Sequence, residues 1–396
     1  MLAIWRNLLP WIAPVVAMAT MSISLSLTIP LFALLLEREG VSGTMIGLNH
    51  TFSAAAMVIS APFLPRVLAR VGVVPLMVWS TIALALGMVL IPLFSEPLWW
   101  AMLRPVFGFA GTALFFASEY WIVGQAPDRI RGRIIGFYVL ILSISYMIGP
   151  LLLNVLGIEG YAIYLVPAGI FALAAVPLLL GRKFAPDGRT ETTPKPFALL
   201  RFFRTDPMII WGVVLFGVVE FGCMGLISVW GLRSGYPQEI AVSLVFWIAC
   251  GSMIFQLPVG WAADRFDRRR LLGLAGAVAA ASPFLLILYS TDIRLVVTGV
   301  FLMGGMAVAF YSLALVELGA RYRGPQLAEG NAAVVLAYGI GALLSPSAFG
   351  AAMDVIPPDG LLWLASAAAC AYCALAVVRM SRTRPRGVDT DGDFST

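Results

Sequence analysis

The chain has 396 residues, 60% of them apolar and 12% charged, and its mean hydropathy is +0.92. That is more apolar surface than a water-soluble core of this size can hide, so the chain reads as a polytopic membrane protein. With one histidine and no clustered acids, neither a cofactor nor a metal nor enzymatic chemistry is expected, and the net charge of +5 is assigned to membrane topology rather than to nucleic-acid binding.

Mostly apolar runs fall near 8–36, 42–64, 73–94, 97–123, 134–156, 161–181, 208–231, 240–259, 271–289, 295–318, 328–352 and 361–379. Each can cross a hydrocarbon core of about 30 Å as a helix, whereas a barrel would show alternation over segments of about ten residues. Alternate loops and tails hold 22 of the 26 basic residues, leaving Arg38, Arg233 and Arg294 on the other side and Arg104 inside a span. This asymmetry predicts that both termini are cytoplasmic.

The first span carries Thr20, Ser24 and Thr28 along one face. These hydroxyls suit either back-bonding within a packed helix or the wall of a polar cavity. The second span opens with Asn49 and His50, where a hydrogen-bonded structural pair competes with a proton-relay or substrate role. In the fourth span Arg104 shares a helical face with Gly108, Gly111, Ser118 and Glu119, although the two charges stand about 22 Å apart along the axis. Arg104 can snorkel to the near surface or face the interior. The fifth span places Gly149 and Pro150 after Gly136 and Ser145, a pattern for a bendable, close-packed helix.

Residues 182–207, rich in charge and proline, read as a cytoplasmic linker between 1–181 and 208–380, with 195–204 able to lie as an amphipathic segment at the interface. Glu220 lies near the middle of the seventh span, on a stripe of Gly217, Met224, Ile227 and Gly231. It is the leading candidate for coupling or substrate binding, with Arg104, His50 and Asn49 beside it in that role. The hairpin after the eighth span runs from Gly260, which offers a close helix approach, through Asp264 and Arg265 to Arg269 and Arg270. A degraded copy, from Pro62 to Gly72, follows the second span. A second echo pairs Glu317 and Ser345-Pro346 with Glu119 and Gly149-Pro150, so the chain reads as two related six-span halves. Glu119 and Glu317, near the inner helix ends, are expected in cytoplasmic networks with basic loops. The acidic tail, 381–396, is expected to be disordered.

The order Gly-x-x-x-Asp-Arg-x-x-Arg-Arg from Gly260, Arg104 followed by Gly108, and the Gly149-Pro150 helix together resemble signatures of the major facilitator superfamily. Leu31 to Glu37 with Gly40, Ser118-Glu119-Tyr120-Trp121, Arg131-Gly132-Arg133, and Ala337 to Gly341 followed by Asp354 resemble its YcaD-like bacterial subgroup. The resemblance implies twelve helices in two pseudo-symmetric bundles, a bacterial inner-membrane location, a functional monomer, and alternating access with a small-molecule substrate bound between the halves and coupled to protons. Gly260, Asp264, Arg265, Arg269, Gly149 and Pro150 would carry gating. Tyr138, Tyr146 and Trp230 with one midplane acid admit a sugar, an amphipathic cation or a small metabolite, and both uptake and efflux stay open. A substrate-sensing receptor on a transporter scaffold is the alternative, though no soluble output domain is read.

Overall fold

The computed structural model describes residues 2–93, 97–125, 131–186, 201–322 and 324–382, and no strand occurs among them. The first half contains α1 (Leu2–Arg38), α2 (Gly43–Ser60), α3 (Leu64–Val71), α4 (Val73–Leu90), α5 (Pro97–Gln125), α6 (Arg131–Leu156) and α7 (Ala162–Leu180). The second contains α8 (Phe202–Thr205), α9 (Pro207–Arg233), α10 (Gln238–Arg265), α11 (Arg268–Leu288), α12 (Ile293–Arg321), α13 (Gly324–Val355) and α14 (Gly360–Arg382). Among the described residues ten helices are long and apolar enough to cross a bilayer, and the α2–α3 pair, bent by 67°, makes up to eleven. The expected fifth span is represented by the shorter apolar stretch Leu140–Leu156 of α6. Every expected span therefore falls on a helix. Val155 and Leu257 are 83% exposed, which in water would be costly and on a lipid-facing surface is the stable arrangement.

The bend after α2 shortens the second span relative to expectation. Pro62 and Pro65 bracket it: neither can donate a backbone hydrogen bond, so the helix stops at Ser60 and restarts as α3. The related tract in the second half runs unbroken through α10 to Arg265, where Pro258 is tolerated inside the helix.

Within the first half α1 packs on α5, α6 and α7; within the second α12 packs on α10 and α11, and α14 on α11. Four pairs join the halves: α2 with α13 and, less extensively, with α9, α1 with α9, and α6 with α10. The α2–α13 contact is backbone-close. A Cβ on Gly47 would stand 2.0 Å from the Pro346 carbonyl oxygen, and one on Gly350 would stand 1.9 Å from the carbonyl oxygen of Gly43. Thr51 adds hydrogen bonds to the Leu343 carbonyl (3.3 Å) and the Ser347 hydroxyl (2.6 Å) across the same seam. Gly149 has a comparable role inside the first half, since a Cβ there would fall 2.0 Å from the Ser26 hydroxyl of α1.

Gly260 behaves differently from its expectation. A Cβ built on it meets no atom within 4 Å, so no helix approaches it here; the residue sits at the far end of α10, away from the seam where the halves close on each other. The hydroxyls of α1 resolve toward packing. Thr20, Ser26 and Thr28 bond the carbonyls of Ala17, Ile23 and Leu25 at 2.8, 3.1 and 3.3 Å, and Ser24 is fully buried. Of the segment 195–204 only its end is described. Phe202 is fully buried, edge-on to Tyr322 at 5.4 Å, so this end is anchored in the bundle. Residues 187–200 of the linker and the tail beyond Arg382 lie outside the described residues.

Candidate functional site

Glu220 occupies the one irregular turn of α9. Residues Val218–Cys223 wind as a π-helix, an insertion that loosens the regular hydrogen-bond ladder and is common where a side chain must be re-aimed for function. Small residues bring α13 against this turn: a Cβ on Gly217 would lie 2.4 Å from the Tyr338 carbonyl oxygen, and one on Gly341 would lie 2.2 Å from that of Val214. The approach gives Glu220 a side-chain hydrogen bond from Tyr338, while its Oε2 is buried with no partner. Phe216 stacks on Tyr338 with ring centroids 5.4 Å apart and on Tyr311 at 5.2 Å; Phe221 stands edge-on to Tyr338 at 5.8 Å.

The first half completes this cluster. Tyr146 of α6 lies within electrostatic range of Glu220 and donates a hydrogen bond to the Met224 sulfur at 3.6 Å. Tyr311 lies within electrostatic range of both Glu220 and Glu119, and Tyr138, its buried hydroxyl without a hydrogen-bond partner, lies within range of Glu119. Glu119 is solvent-exposed, and among the described residues neither it nor Glu220 forms an ion pair. Arg131 and Arg133, the basic residues expected to form a cytoplasmic network with Glu119, lie outside the described side chains.

The other three intramembrane candidates form a separate cluster. Arg104 is 4% exposed, and its Nε donates to the Asn49 side-chain oxygen at 2.6 Å. Its Nη2 lies 3.1 Å from His50 Nδ1, and the guanidinium carbon sits 4.4 Å from the centroid of Phe32. A guanidinium only donates, so the facing imidazole nitrogen must be the accepting one. Arg104 does not snorkel; a carbonyl, an imidazole lone pair and a π face take its charge inside the bundle. His50 also touches the second half, lying 3.5 Å from where a Cβ on Gly225 would stand.

A third constellation ties the halves at one end. Arg233 of α9 grips Glu37 of α1 through two parallel hydrogen bonds, each 2.8 Å, and reaches Asp354 of α13 at 3.4 Å. Asp354 receives the backbone N–H groups of Gly43 at 2.7 Å and Thr44 at 2.8 Å, and the Thr44 hydroxyl at 2.6 Å. It thereby caps the first turn of a helix in the opposite half, where unsatisfied N–H groups favour a negative charge. Sequence reasoning had Glu37 and Asp354 in hand only as parts of a family pattern and counted Arg233 only for topology. Partners so far apart along the chain leave no local spacing to find them by.

At the opposite end the ion pairs among the described residues stay within the second half. Glu317 binds Arg268 at 3.2 Å and also Arg321; Arg321 reaches Asp206 at 2.6 Å; Arg201 reaches Glu329 at 2.8 Å. Arg265 is exposed, its guanidinium 4.1 Å over the Trp261 ring, and the side chain of Asp264 lies outside the described residues. Trp230 is removed from the candidate site: it is fully buried and its indole N–H donates to Asp359 at 2.9 Å. Among the described residues no group of three His, Cys, Asp or Glu side chains could hold a metal.

A family model described as Major Facilitator Superfamily matches residues 15–255 and 240–393. The chain is 23% identical to the uncharacterized MFS-type transporter YfkF of Bacillus subtilis (strain 168), over 86% of this chain and 88% of that one. It is also 23% identical to the uncharacterized MFS-type transporter YcaD of Escherichia coli O139:H28, over 73% and 74%. Among solved structures it matches the nucleoside transporter NupG with a TM-score of 0.78 at 14% identity, over 95% of this chain and 100% of that one. A bacterial homolog of the human lysosomal transporter Spinster, inward-facing and unoccupied, matches with a TM-score of 0.72 at 14% identity, over 96% and 99%.

Proposed function

The chain belongs to the Major Facilitator Superfamily of membrane transporters, and from that premise we propose that it is a proton-coupled secondary transporter that moves a small organic solute outward by alternating access. The observation that carries the reading is the way the two halves meet around one buried carboxylate. At one end they are joined by Glu37, Arg233 and Asp354 and by the glycine seam of α2 and α13, and further along the same bundle Glu220 lies between Tyr338 of the second half and Tyr146 of the first. A latch across the halves at one end, with a carboxylate and tyrosines from both halves inside, suits rocking about a fixed site. The excess of arginine at the end away from the Arg233 latch supports placing that end in the cytoplasm, and an inward-facing Spinster homolog shares the fold. In this reading the protein is a monomer of the bacterial inner membrane with both termini inside, and Arg233 is the outer latch.

Glu220 is the coupling residue. A carboxylate inside a bilayer costs a few kcal/mol on insertion-based scales, so it binds either a proton or a positively charged or hydrogen-bond-donating substrate group, and the exchange of one for the other couples the two fluxes. Arg104, Asn49 and His50 hold the first half in shape where it meets α9. Gly149 and Pro150 let α6 move as one body with α1, and Asp264, Arg265 and Arg269 act at the cytoplasmic edge. The test is proton movement in proteoliposomes loaded with a pH-sensitive dye, using ligands found by thermal shift. Wild-type protein should move protons when ligand is added and Glu220→Gln should not; ligand flux that moves no protons in either protein would end the coupling reading.

A further inference from the structure

Resting on the transporter reading, we infer that the substrate is a lipophilic organic cation whose charge sits on Glu220 and whose apolar body lies over the ring faces of Phe216, Tyr311 and Tyr338. Three features of the site lead to this class. Glu220 Oε2 is buried and unpartnered, so the site is one hydrogen-bond donor or positive charge short of satisfaction. Its hydrogen-bond donor, Tyr338, belongs to an aromatic cluster: Phe216 lies within 5.4 Å of the Tyr338 and Tyr311 rings, Phe221 stands edge-on to Tyr338 at 5.8 Å, and Tyr146 and Tyr311 are within electrostatic range of Glu220. Ring faces are the negative ends of a quadrupole and attract cations, most strongly where water is excluded.

The acid on the opposite half points the same way. Glu119 lies within electrostatic range of Tyr311, as Glu220 does, and of Tyr138, whose buried hydroxyl has no hydrogen-bond partner. Two carboxylates in reach of one tyrosine repel an anionic ligand. A sugar fits poorly for a different reason: Phe216 and Phe221 can neither donate nor accept, and an array of hydroxyls laid on them would lose its hydrogen bonds to water without replacement. A cation with an aromatic or aliphatic body places its charge on the carboxylate and its apolar surface against the rings.

The experiment compares three probes of similar bulk and different charge on the purified full chain: tetraphenylphosphonium, neutral triphenylphosphine oxide and anionic tetraphenylborate. Equilibrium binding should be saturable for the phosphonium and at least about tenfold weaker for the other two. Glu220→Gln should weaken phosphonium binding about tenfold or more, Phe216→Ala and Tyr338→Ala by several-fold, and Tyr338→Phe, which keeps the ring, by less than Tyr338→Ala. Glu119→Gln should weaken it by a smaller factor than Glu220→Gln. The unfolding midpoint of each variant serves as the folding control, and Glu220→Asp, which keeps the charge, should recover part of the affinity lost in Glu220→Gln.

Equal binding of all three probes, preference for the borate, no phosphonium binding at millimolar concentration, or phosphonium binding untouched by Glu220→Gln would each overturn the assignment. Failure of the cation class is distinguishable from failure of the transporter reading. Spin labels on α2 and α13 that report opening of the Arg233 latch test alternating access without any ligand. Conversely, Glu220-dependent phosphonium binding with no counterflow in proteoliposomes would keep the site and remove the transport.

Discussion

Arg104 and Glu220 are both ionisable groups set inside the bilayer, and the structure treats them in opposite ways. Arg104 meets an amide oxygen, an imidazole nitrogen and the face of a phenylalanine, all on the first half, and is nearly fully buried. Its charge is already satisfied, and a ligand would have to displace well-placed partners to use it. Glu220 stands in a π-turn, has one hydrogen-bond partner, leaves an oxygen unsatisfied and is ringed by side chains from both halves. An intramembrane charge is therefore informative about function in proportion to what its neighbours leave undone. Arg233 is a third case, a charge whose partners belong to the other half as well as its own.

The comparison breaks first at Glu220. Glu220→Gln should insert and fold with an unfolding midpoint near that of wild type, since removing a partly unsatisfied charge relieves a desolvation cost, yet proton-driven flux in proteoliposomes should fall to background. Wild-type flux and pH dependence in this variant would make Glu220 as structural as Arg104.

Arg104→Ala should do the reverse. Deleting the guanidinium strands Asn49 and His50 in the interior, at about 1–3 kcal/mol for each unsatisfied group. The expected result is a sharp drop in folded yield and unfolding temperature, with ligand affinity of the surviving folded fraction within a few-fold of wild type. Normal stability with lost binding would move Arg104 into the site.

An intermediate effect is expected at the latch. Glu37 and the Arg233 side chain are each about one-fifth exposed, and their paired hydrogen bonds are charge-assisted. Arg233→Gln should shift the equilibrium between closed and open outer ends by about 1–2 kcal/mol. Distance distributions between spin labels on α2 and α13 should broaden toward longer separations while global stability changes little. An unchanged distribution would reduce the latch to surface chemistry.

The smallest effect is expected at Arg265. Its guanidinium lies over Trp261 on an exposed helix end, so Arg265→Ala should alter thermal stability by no more than about 0.5 kcal/mol. Any change in transport should appear in the rate of cycling with ligand affinity retained, which a comparison of flux with equilibrium binding would reveal.

Much of the architecture was legible in order along the chain. Long apolar runs can only be helices in lipid, because every backbone polar group must be satisfied within its own segment, and their order along the chain followed directly. Glu220 was legible for the same reason: a carboxylate in the middle of such a run is conspicuous. Pro62 and Pro65 signalled the break after α2 less clearly, since Pro258 sits inside an unbroken helix; tertiary packing decides which proline ends a helix and which is absorbed.

What the sequence alone determined is one-dimensional: helical spans, the charge asymmetry of their connections, the duplication, and which spans carry an ionisable group. What only the tertiary structure decided is which of those groups has partners. Asn49 and Arg104 are 55 positions apart, Glu37 and Arg233 are 196 apart, and Tyr338 reaches Glu220 only because glycines on two helices allow their backbones to touch. Helical periodicity orders side chains on one helix, but it carries no information about which face of a distant helix will lie against them. The physical reason is that burial and hydrogen-bond satisfaction are properties of a packed neighbourhood, and in this fold that neighbourhood is drawn from both ends of the chain.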